Sequence, residues 1–493
     1  MTGHHTLDHL STKELDNIFC NNFSTFSLLA SLKNHYCKNM KVHFIAIGGS
    51  AMHNLAIALK IKGFEVTGSD DEIFDPAKGR LAKYGILPQD IGWHPEKITT
   101  DLDAVILGMH AREDNPELLK AKELGIKIYS YPEYLYEQSK DKIRVVVGGS
   151  HGKTTITSMI IHVLQQNHIE CDYMVGAQLE GFEVMVRLSD TAKMMIIEGD
   201  EYLTSPIDRR PKFHVYQPTI GIISGIAWDH INVFPTFENY VQQFEIFAKL
   251  IPQNGQLIYC QEDTELKKLG ERITNTTCKP YGIHPYIIKD GVTYLKTDDR
   301  LVPLQIFGKH NLMNINAARL ACKALGLSDK EFYDAIATFK GASKRLELVA
   351  KNTECAVYKD FAHSPSKLKA TINAVREQYP DRKLVACMEL HTFSSLTEEF
   401  LKQYQHAMDE ADTAIVYYSP AAVQHKKLPP ISPDMIYTAF QREDLQIFND
   451  SNTLRDKLLS MDWHHSVLLL MSSGNFDGIN LNEFGEKIVL LPA

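Results

Sequence analysis

Residues 149–155 have the sequence Gly149-Ser150-His151-Gly152-Lys153-Thr154-Thr155 and separate two contrasting patterns. Before them, Val145 to Val147 is an apolar run typical of a buried strand. After them, apolar residues recur at helical spacing, at Ile156, Met159, Ile160 and Val163. Strand, glycine loop and helix in this order indicate a phosphate-binding loop.

The chemistry of this loop predicts ATP or GTP as its ligand. Glycines let backbone amides turn toward phosphate oxygens, and the helix N-terminus adds partial positive charge. Lys153 is predicted to neutralise the β- and γ-phosphates, and the Thr154 hydroxyl to reach Mg²⁺. The full pattern has a glycine where this chain has Val147. The alternative interpretation is an ordinary strand-to-helix turn.

Composition bounds the class of protein. A chain of 493 residues is too long for one core and predicts about three globular domains. The net charge of -9 opposes a nucleic-acid interface, which needs a basic face. The eight cysteines form no C-x-x-C pair, and His4-His5 and His464-His465 lack matching ligands, so reduced thiols and surface histidines are expected.

No apolar run approaches the roughly 20 residues that cross a bilayer, and no signal peptide is evident. We therefore expect a cytoplasmic protein without a membrane or nucleic-acid partner. The sequence leaves its oligomeric state open.

The first domain is predicted over residues 40–140, after a poorly ordered appendage at 1–39 with Met40 as the working start. A strand from Lys41, the turn Gly48-Gly49-Ser50-Ala51-Met52 and a helix lead to a strand ending at Asp70. The turn resembles a dinucleotide fingerprint whose first glycine is replaced by Ala46. It would suit NAD or the diphosphate of a nucleotide sugar, with Asp70 on a hydroxyl or ring nitrogen. The alternative is a structural turn capped by Asp70.

The central domain, predicted over 141–340, contains a second chemical signal. The apolar strand Met194 to Ile197 ends in Glu198-Gly199-Asp200-Glu201, where a phosphate-loop fold places a metal-holding carboxylate. We assign that role to Glu198. Asp229-His230 follows another predicted strand. The alternative for the acidic group is a solvated turn, and the alternative for His230 is a satisfied or surface histidine.

A third domain is predicted over 341–493, after a hinge at Phe339 to Arg345. Strands and helices alternate here, with a helix starting at Ser364-Pro365 and another at Glu398 to Glu410. The predicted fold class is α/β with three domains: a Rossmann-like N-terminal domain, a central P-loop ATPase domain and a Rossmann-like C-terminal domain.

The ordered motifs G-S-H-G-K-T-T, E-x-D-E, D-H, H-N-x-x-N and D-F-A-H-S-P resemble the Mur ligases, the ATP-dependent amide-forming enzymes that build the peptide of bacterial cell-wall precursors. The resemblance covers Met40 to Ala493. It implies that a carboxylate is phosphorylated to an acyl phosphate, which an amine then attacks. ATP and Mg²⁺ are the implied cofactors.

The resemblance also implies roles for individual residues. The uridine diphosphate sugar would contact Gly48, Gly49, Ser50, Ala51, Met52, Asp70 and His110. Residues 149–155 would bind ATP, with Thr154, Glu198 and His230 as magnesium ligands. Asn311 and Asn314 would meet adenine, Arg345 the phosphates, Asp360 the ribose, and His363 the rim of the site. Lys153, Glu198, His230 and Arg345 would be the catalytic residues.

Within the family, the stretch from Glu198 to Phe213 is most similar to members that attach L-Ala-γ-D-Glu-meso-diaminopimelate to UDP-N-acetylmuramate in cell-wall recycling. This similarity implies an acceptor rich in carboxylates, and Arg209, Arg210 and Lys212 are candidate partners for them. The alternatives are a solvated basic loop and a ligase that adds L-alanine. Glu389 to Ser395 departs from the Arg-Ser-Asn-Thr stretch of the recycling enzymes.

Two other classes compete with a ligase. An NAD-dependent dehydrogenase would use the first domain alone and leave the phosphate loop without a role. A nucleotide-switch ATPase would use the loop but neither the first glycine turn nor the third domain.

Overall fold

The structure is a computed structural model that describes residues 40–176, 182, 184–228, 233–289, 291–341 and 346–491. The predicted appendage at residues 1–39 lies outside these ranges. The described chain forms two compact units. The first contains residues 40–141, 184–192 and 202–216, and the second contains the other described residues.

The first unit is built on a parallel sheet of β1 (Lys41–Ile45), β2 (Glu65–Ser69), β3 (Ala104–Leu107) and β4 (Ile128–Ser130), in the order β2, β1, β3, β4. Its helices are α1 (Ser50–Lys62), α2 (Ala77–Lys83), α3 (Pro116–Glu123) and α4 (Tyr131–Ser139). A capping box between Ser130 and Glu133 satisfies the first amides of α4 and fixes where that helix begins.

Two later segments of the chain also belong to the first unit. They carry β7 (Val186–Arg187) and α6 (Lys212–Val215). The Met185 amide donates to Asn54 Oδ1 on α1 over 3.0 Å, and Arg210 Nη2 lies 3.5 Å from Glu133 Oε1 on α4. The predicted division by sequence order placed both segments in the central domain.

The second unit begins with a parallel sheet around the phosphate loop. Its strands are β5 (Ile143–Gly148), β6 (Asp172–Met174), β8 (Met194–Glu198), β9 (Ile220–Ile223), β10 (Gln256–Cys260) and β11 (Thr277–Tyr281). Their order is β11, β10, β9, β5, β8, β6. Because β5 lies between β8 and β9, the strand order reverses at its carboxyl end, where ligands bind in open α/β sheets.

Helices and a small sheet complete this part of the second unit. The helices are α5 (Lys153–Gln166), α7 (Phe237–Lys249), α8 (Thr264–Arg272), α9 (Lys309–Ala324) and α10 (Asp329–Ile336). The antiparallel sheet contains β12 (Tyr286–Lys289), β13 (Val292–Lys296) and β14 (Leu301–Pro303).

The C-terminal part of the second unit has its own six-stranded sheet. Its strands are β15 (Glu347–Lys351), β16 (Cys355–Asp360), β17 (Lys383–Leu390), β18 (Thr413–Tyr418), β19 (Gln446–Phe448) and β20 (Ser466–Met471), in the order β15, β16, β20, β17, β18, β19. Side chains of β16 alternate between two apolar clusters, so both faces of the sheet are covered.

The helices that cover this sheet are α11 (Pro365–Gln378), α12 (Glu398–Leu401), α13 (Pro420–His425), α14 (Pro433–Phe440), α15 (Ser451–Leu459) and α16 (Leu481–Val489). Helices α15 and α16 carry residues of the cluster that contains Cys355 and Val357. Helices α11, α12 and α14 carry residues of the other cluster, on the opposite face.

The predicted α/β class with three domains is confirmed. The helix predicted from Glu398 to Glu410 is wrong, because α12 ends at Leu401 and a 3₁₀ turn follows at Lys402–Tyr404. The buried Tyr404 hydroxyl donates to the His363 carbonyl over 2.5 Å, and His406 takes a left-handed φ of 59° that a helix does not accommodate. Helix α11 begins at Pro365 as predicted, although the Ser364 side chain forms no capping hydrogen bond.

Across the described ranges, no helix combines the length and apolar character that crossing a membrane requires.

Candidate active site

The phosphate loop joins β5 to α5 with a backbone that only glycine accommodates well. Gly149 and Gly152 have φ of 120° and 80°. A Cβ on Gly149 would lie 2.4 Å from Ser224 Oγ, and one on Gly152 would lie 2.5 Å from Asn314 Oδ1. Val147 is paired inside β5 with Ile222 and Glu198, so the loop begins after this strand residue.

The end of β9 holds the loop in place. The Ser150 amide donates to the Gly225 carbonyl over 3.0 Å, and its hydroxyl donates to the Ala227 carbonyl over 2.9 Å. Ser224 Oγ donates to the His151 carbonyl. These bonds hold the first part of the loop. Its helix end, at Gly152 and Lys153, lines the adjoining cavity.

Lys153 lies beneath the loop in a strongly acidic environment. Its Nζ donates to the Gly149 carbonyl over 2.7 Å and lies 2.9 and 3.2 Å from the two Glu201 carboxylate oxygens. Burial alone would lower the pKa of Lys153, but Glu201, Asp200 and Glu198 outweigh it and raise the pKa. The ammonium therefore stays charged, as a phosphate partner must.

Thr154 and Glu198 bring two oxygen ligands together at the same edge. Thr154 Oγ1 donates to Glu198 Oε1 over 2.8 Å, and the Gly176 amide donates to Glu198 Oε2 over 2.7 Å. A hydroxyl and a carboxylate are hard oxygen donors of the kind that Mg²⁺ prefers. These residues fit a magnesium ion. His230, the other predicted ligand, lies outside the described residues.

A cavity of about 460 Å³ adjoins the loop. It is lined by predicted residues from Ser150 to Thr155 and by Glu198, Asn311, Asn314 and Asp360. The volume and the phosphate-binding loop at one side fit a nucleotide. Helix α9 supplies the two asparagines, and the Asn311 side chain donates to the Phe307 carbonyl over 2.8 Å.

Asp360 is the last residue of β16 and His363 follows the strand, and the two side chains differ in position. The carboxylate of Asp360 accepts the amides of Leu346 and Ala362 at 2.5 and 2.8 Å while lining the cavity. His363 is absent from the residues found to line that cavity, and its Nδ1 lies 2.8 Å from the Phe361 carbonyl oxygen. Arg345, the predicted phosphate ligand, lies outside the described residues.

Sequence reasoning missed two charged residues of this region. Glu201 belongs to the same acidic run as Glu198, and Glu198 alone was predicted to be functional. Lys367 lines the cavity from the first turn of α11. A cation near a helix N-terminus opposes the helix dipole, and that unfavourable placement was a signal for an anionic ligand.

The first unit contains the other predicted glycine turn, between β1 and α1. The Gly48 amide donates to Asp70 Oδ2 over 2.6 Å, and a Cβ on Gly48 would lie 2.9 Å from that oxygen. Ala46, at the position of the missing glycine, has a φ of 65°. Burial raises the pKa of Asp70. The structure thus gives Asp70 the turn-capping contact that was its alternative interpretation.

The remaining predicted sugar contacts surround this turn. Gly49 precedes α1, which opens with Ser50, Ala51 and Met52. His110 is exposed after β3, and β3 is the neighbour of β1 in the sheet. Because the strands are parallel, the Gly48 turn and His110 lie at the same edge of the first unit's sheet.

The three predicted acceptor cations lie in the first unit. Arg210 pairs with Asp208, with Nη2 2.6 Å from Oδ2, and also approaches Glu133. Lys212 Nζ lies 5.8 Å from the centre of the Tyr202 ring. Arg209 is exposed. Two of these cations therefore have partners within the unit itself.

Three family models match the chain in order: "Mur ligase family, catalytic domain" over residues 41–142, "Mur ligase middle domain" over 147–322, and "Mur ligase, glutamate ligase domain" over 344–474. The chain belongs to the Mur ligase family. It is accordingly an ATP-dependent ligase that forms an amide bond.

Two relatives within the family share the same name. The UDP-N-acetylmuramate–L-alanine ligase of Clostridium kluyveri is 34% identical over 397 residues, which cover 77% of this chain and 84% of the relative. The enzyme of the same name from Clostridium botulinum strain Hall is 29% identical over 462 residues, covering 89% and 96%.

Solved structures include both kinds of ligase. The UDP-N-acetylmuramate–alanine ligase of Thermotoga maritima has a TM-score of 0.64 at 20% identity and covers 91% of this chain and 98% of its own, a likeness that shows the fold. The UDP-N-acetylmuramate:L-alanyl-γ-D-glutamyl-meso-diaminopimelate ligase of Neisseria meningitides has a TM-score of 0.56 at 26% identity, covering 61% of this chain and 98% of its own.

The expectation of a tripeptide acceptor is wrong. The curated relatives are named for L-alanine, which was the alternative. The expectation came from the similarity of Glu198 to Phe213 to the recycling ligases, and it made Arg209, Arg210 and Lys212 candidate partners for distal carboxylates. Asp208 and Glu133 already neutralise Arg210. The number of basic residues in this stretch therefore overestimated the positive charge that a ligand could meet.

Proposed function

We propose that the protein joins L-alanine to UDP-N-acetylmuramate, coupled to cleavage of ATP to ADP and phosphate, as a step of peptidoglycan biosynthesis. The observation that carries the proposal is the 34% identity, over 77% of this chain, to a relative named UDP-N-acetylmuramate–L-alanine ligase. The chemistry of the cavity beside the phosphate loop is consistent with it.

The difficulty of the reaction lies in activating a carboxylate. A sugar carboxylate oxygen attacks the γ-phosphorus of ATP, the bond from that phosphorus to the β-bridging oxygen breaks, and ADP leaves. The amine of alanine then attacks the acyl carbon and the C–N bond forms. The bond from that carbon to the phosphate-bearing oxygen breaks, phosphate leaves with this oxygen of the former carboxylate, and the nitrogen releases a proton to water. Both the carboxylate and the γ-phosphate are anions, so fixed cations must offset their repulsion.

The predicted site residues would each contribute to this reaction. Amides of residues 149–155 and the Lys153 ammonium would bind the phosphates, while Asn311 and Asn314 would contact adenine. Thr154, Glu198 and His230 would hold Mg²⁺, which neutralises phosphate charge when bound. Arg345 would add a second cation, Asp360 would share its carboxylate with the ribose, and His363 would lie at the rim.

The sugar nucleotide would bind the first unit's turn. Gly48, Gly49, Ser50, Ala51 and Met52 would present backbone amides and a helix N-terminus to the diphosphate. Asp70 would fix the Gly48 amide rather than meet the sugar directly, and the exposed His110 would contact the ligand.

An acceptor panel tests the proposal. Phosphate release would be measured with ATP, Mg²⁺ and UDP-N-acetylmuramate, adding L-alanine, glycine, L-serine or L-Ala-γ-D-Glu-meso-diaminopimelate. L-alanine should give the highest kcat/KM, by about tenfold or more over the others. A higher kcat/KM with any other acceptor would contradict the proposal, and a Lys153→Ala preparation supplies the background rate.

A further inference from the structure

Glu201 is a buried carboxylate at the phosphate loop to which the proposed function gives no role. It follows β8 by a short turn, and its side chain is 1% exposed. Burying a carboxylate costs free energy unless hydrogen bonds and a cation offset the loss of water. A position this enclosed therefore needs specific partners.

Those partners are the first amide of the loop and its lysine. The Gly149 amide donates to Glu201 Oε1 over 2.8 Å, and Lys153 Nζ lies 2.9 Å from Oε2. One carboxylate thus joins the two ends of the loop. Glu198, which belongs to the same acidic run, instead accepts from Thr154 and Gly176.

The geometry of the ammonium shows what this contact does. A lysine ammonium has three N–H donors in a tetrahedral arrangement. The Gly149 carbonyl, at 2.7 Å, takes one of them. Glu201 takes another, which is shared between Oε2 at 2.9 Å and Oε1 at 3.2 Å because both oxygens lie on the same side of the ammonium. With two directions fixed, the direction of the remaining N–H is also fixed, and the side chain of Lys153 is still 19% exposed.

We propose that Glu201 is a positioning residue, which orients Lys153 and the Gly149 amide so that the remaining lysine donor meets the γ-phosphate during transfer. Without Glu201 the ammonium still binds phosphate, but it no longer has one fixed direction. The loss falls on phosphoryl transfer more than on nucleotide binding, because amides along the loop and the rest of the cavity also bind ATP.

The test uses Glu201→Gln, which keeps the shape and an acceptor oxygen but removes the charge, and Glu201→Asp, which keeps the charge on a shorter side chain. Glu271→Gln makes the same charge change at an exposed position and is the matched control. Acyl-phosphate formation from ATP and UDP-N-acetylmuramate is measured by hydroxylamine trapping. This assay needs no amino-acid acceptor, so failure of the L-alanine proposal is read separately.

We expect Glu201→Gln to lower the kcat of trapping by about thirtyfold, with an ATP KM within about threefold of the parent's. Glu201→Asp should recover part of the kcat, and Glu271→Gln should match the parent. The concentration of Mg²⁺ for half-maximal rate should stay unchanged. Rates are expressed per folded molecule, determined from ADP binding by calorimetry.

Several results would overturn the proposal. A kcat within about twofold of the parent's in Glu201→Gln would remove the positioning role. An ATP KM that rises as much as kcat falls would make Glu201 a binding or purely structural residue. A steep rise in the magnesium requirement would make it a metal ligand. If Glu201→Gln does not fold, Glu201→Asp must still show reduced kcat with ATP KM retained, and parent values in it would reject the idea.

Discussion

The two glycine turns of the molecule share a backbone device and differ in charge. In each turn, the first glycine amide donates to a carboxylate that lies just after a neighbouring strand. The Gly48 amide donates to Asp70 over 2.6 Å, and the Gly149 amide donates to Glu201 over 2.8 Å. In the phosphate loop Lys153 shares the carboxylate. In the first turn, Ser50 and Ala51 begin the helix, as Lys153 does in the phosphate loop, and neither of them is charged.

We interpret this difference as two ways in which a glycine turn would support phosphate binding. The first turn offers only backbone dipoles beside a carboxylate, which suits a diphosphate that is held and left unreacted. The phosphate loop adds a fixed cation and an oxygen pair for Mg²⁺, which suits a phosphate that is transferred. Substitutions that exchange these features should therefore affect binding in one turn and turnover in the other.

The largest effect is expected from removing the cation. Lys153→Ala should lower turnover by at least about a thousandfold, because the charge on the transferring phosphate loses its nearest fixed partner. Binding of UDP-N-acetylmuramate, measured by calorimetry, should stay within about twofold. Lys267→Ala, at an exposed position, is the control. Comparable losses of turnover and sugar binding in Lys153→Ala would erase the distinction between the turns.

A methyl group in the phosphate loop should have the next largest effect. Gly152→Ala places a Cβ 2.5 Å from Asn314 Oδ1 at a φ of 80°, so the loop or the asparagine must move. The ATP KM should rise about tenfold or more, equal to ~1.4 kcal/mol.

The matched change in the first turn is Gly49→Ala, where φ is -56° and the nearest atom to a Cβ is 3.4 Å away. Its thermal unfolding midpoint should move by less than about 2 °C. Unaltered ATP kinetics in Gly152→Ala, or a large drop in the midpoint of Gly49→Ala, would contradict the expectation that the phosphate loop tolerates an added methyl group less well than the first turn does.

Removing a predicted magnesium ligand should give a more moderate change. Glu198→Gln keeps one acceptor oxygen, which can take the Gly176 amide while the new NH2 donates to the Thr154 hydroxyl, but it loses the charge. Half-maximal turnover should therefore need about tenfold more Mg²⁺. The measurement is a magnesium titration at saturating ATP, with Glu271→Gln as the control. A titration curve that coincides with the parent's would remove Glu198 from the metal site.

The smallest effect concerns the charge of Asp70. Because burial raises its pKa above 3.8, the folded protein takes up a proton more readily than the unfolded chain, so stability relative to Asp70→Asn should increase as pH falls. The gain should start near the raised pKa and level off below 3.8. At pH 7 the two should differ by less than about 1 kcal/mol.

Thermal unfolding of the full chain at a series of pH values measures this difference, with the exposed Asp90→Asn as control. A difference between parent and Asp70→Asn that shrinks on acidification would reverse the sign assigned to Asp70.

Local signals in the sequence predicted where the glycine loop of the second unit lies. The loop at 149–155 was predictable because a glycine turn and a lysine between a buried strand and a helix form a pattern specific to phosphate binding. The sequence could not distinguish the role of Glu201 from that of Glu198, because both lie in one acidic run and only the packing of the fold brings Glu201 to the lysine. The path of residues 184–192 and 202–216 into the first unit depends on contacts distant in sequence. His230 and Arg345 stay predictions.

The C-terminal sheet has a consequence for how the chain folds. Its strand β20, residues 466–471, lies between β16 and β17, although β17 follows β16 along the chain. During synthesis each of the two earlier strands therefore emerges with one edge whose backbone N–H and C=O groups have no partner until residue 471 has been made. Such edges pair readily with other chains. Molecules truncated before Ser466 should thus accumulate as aggregates rather than as shortened ligases.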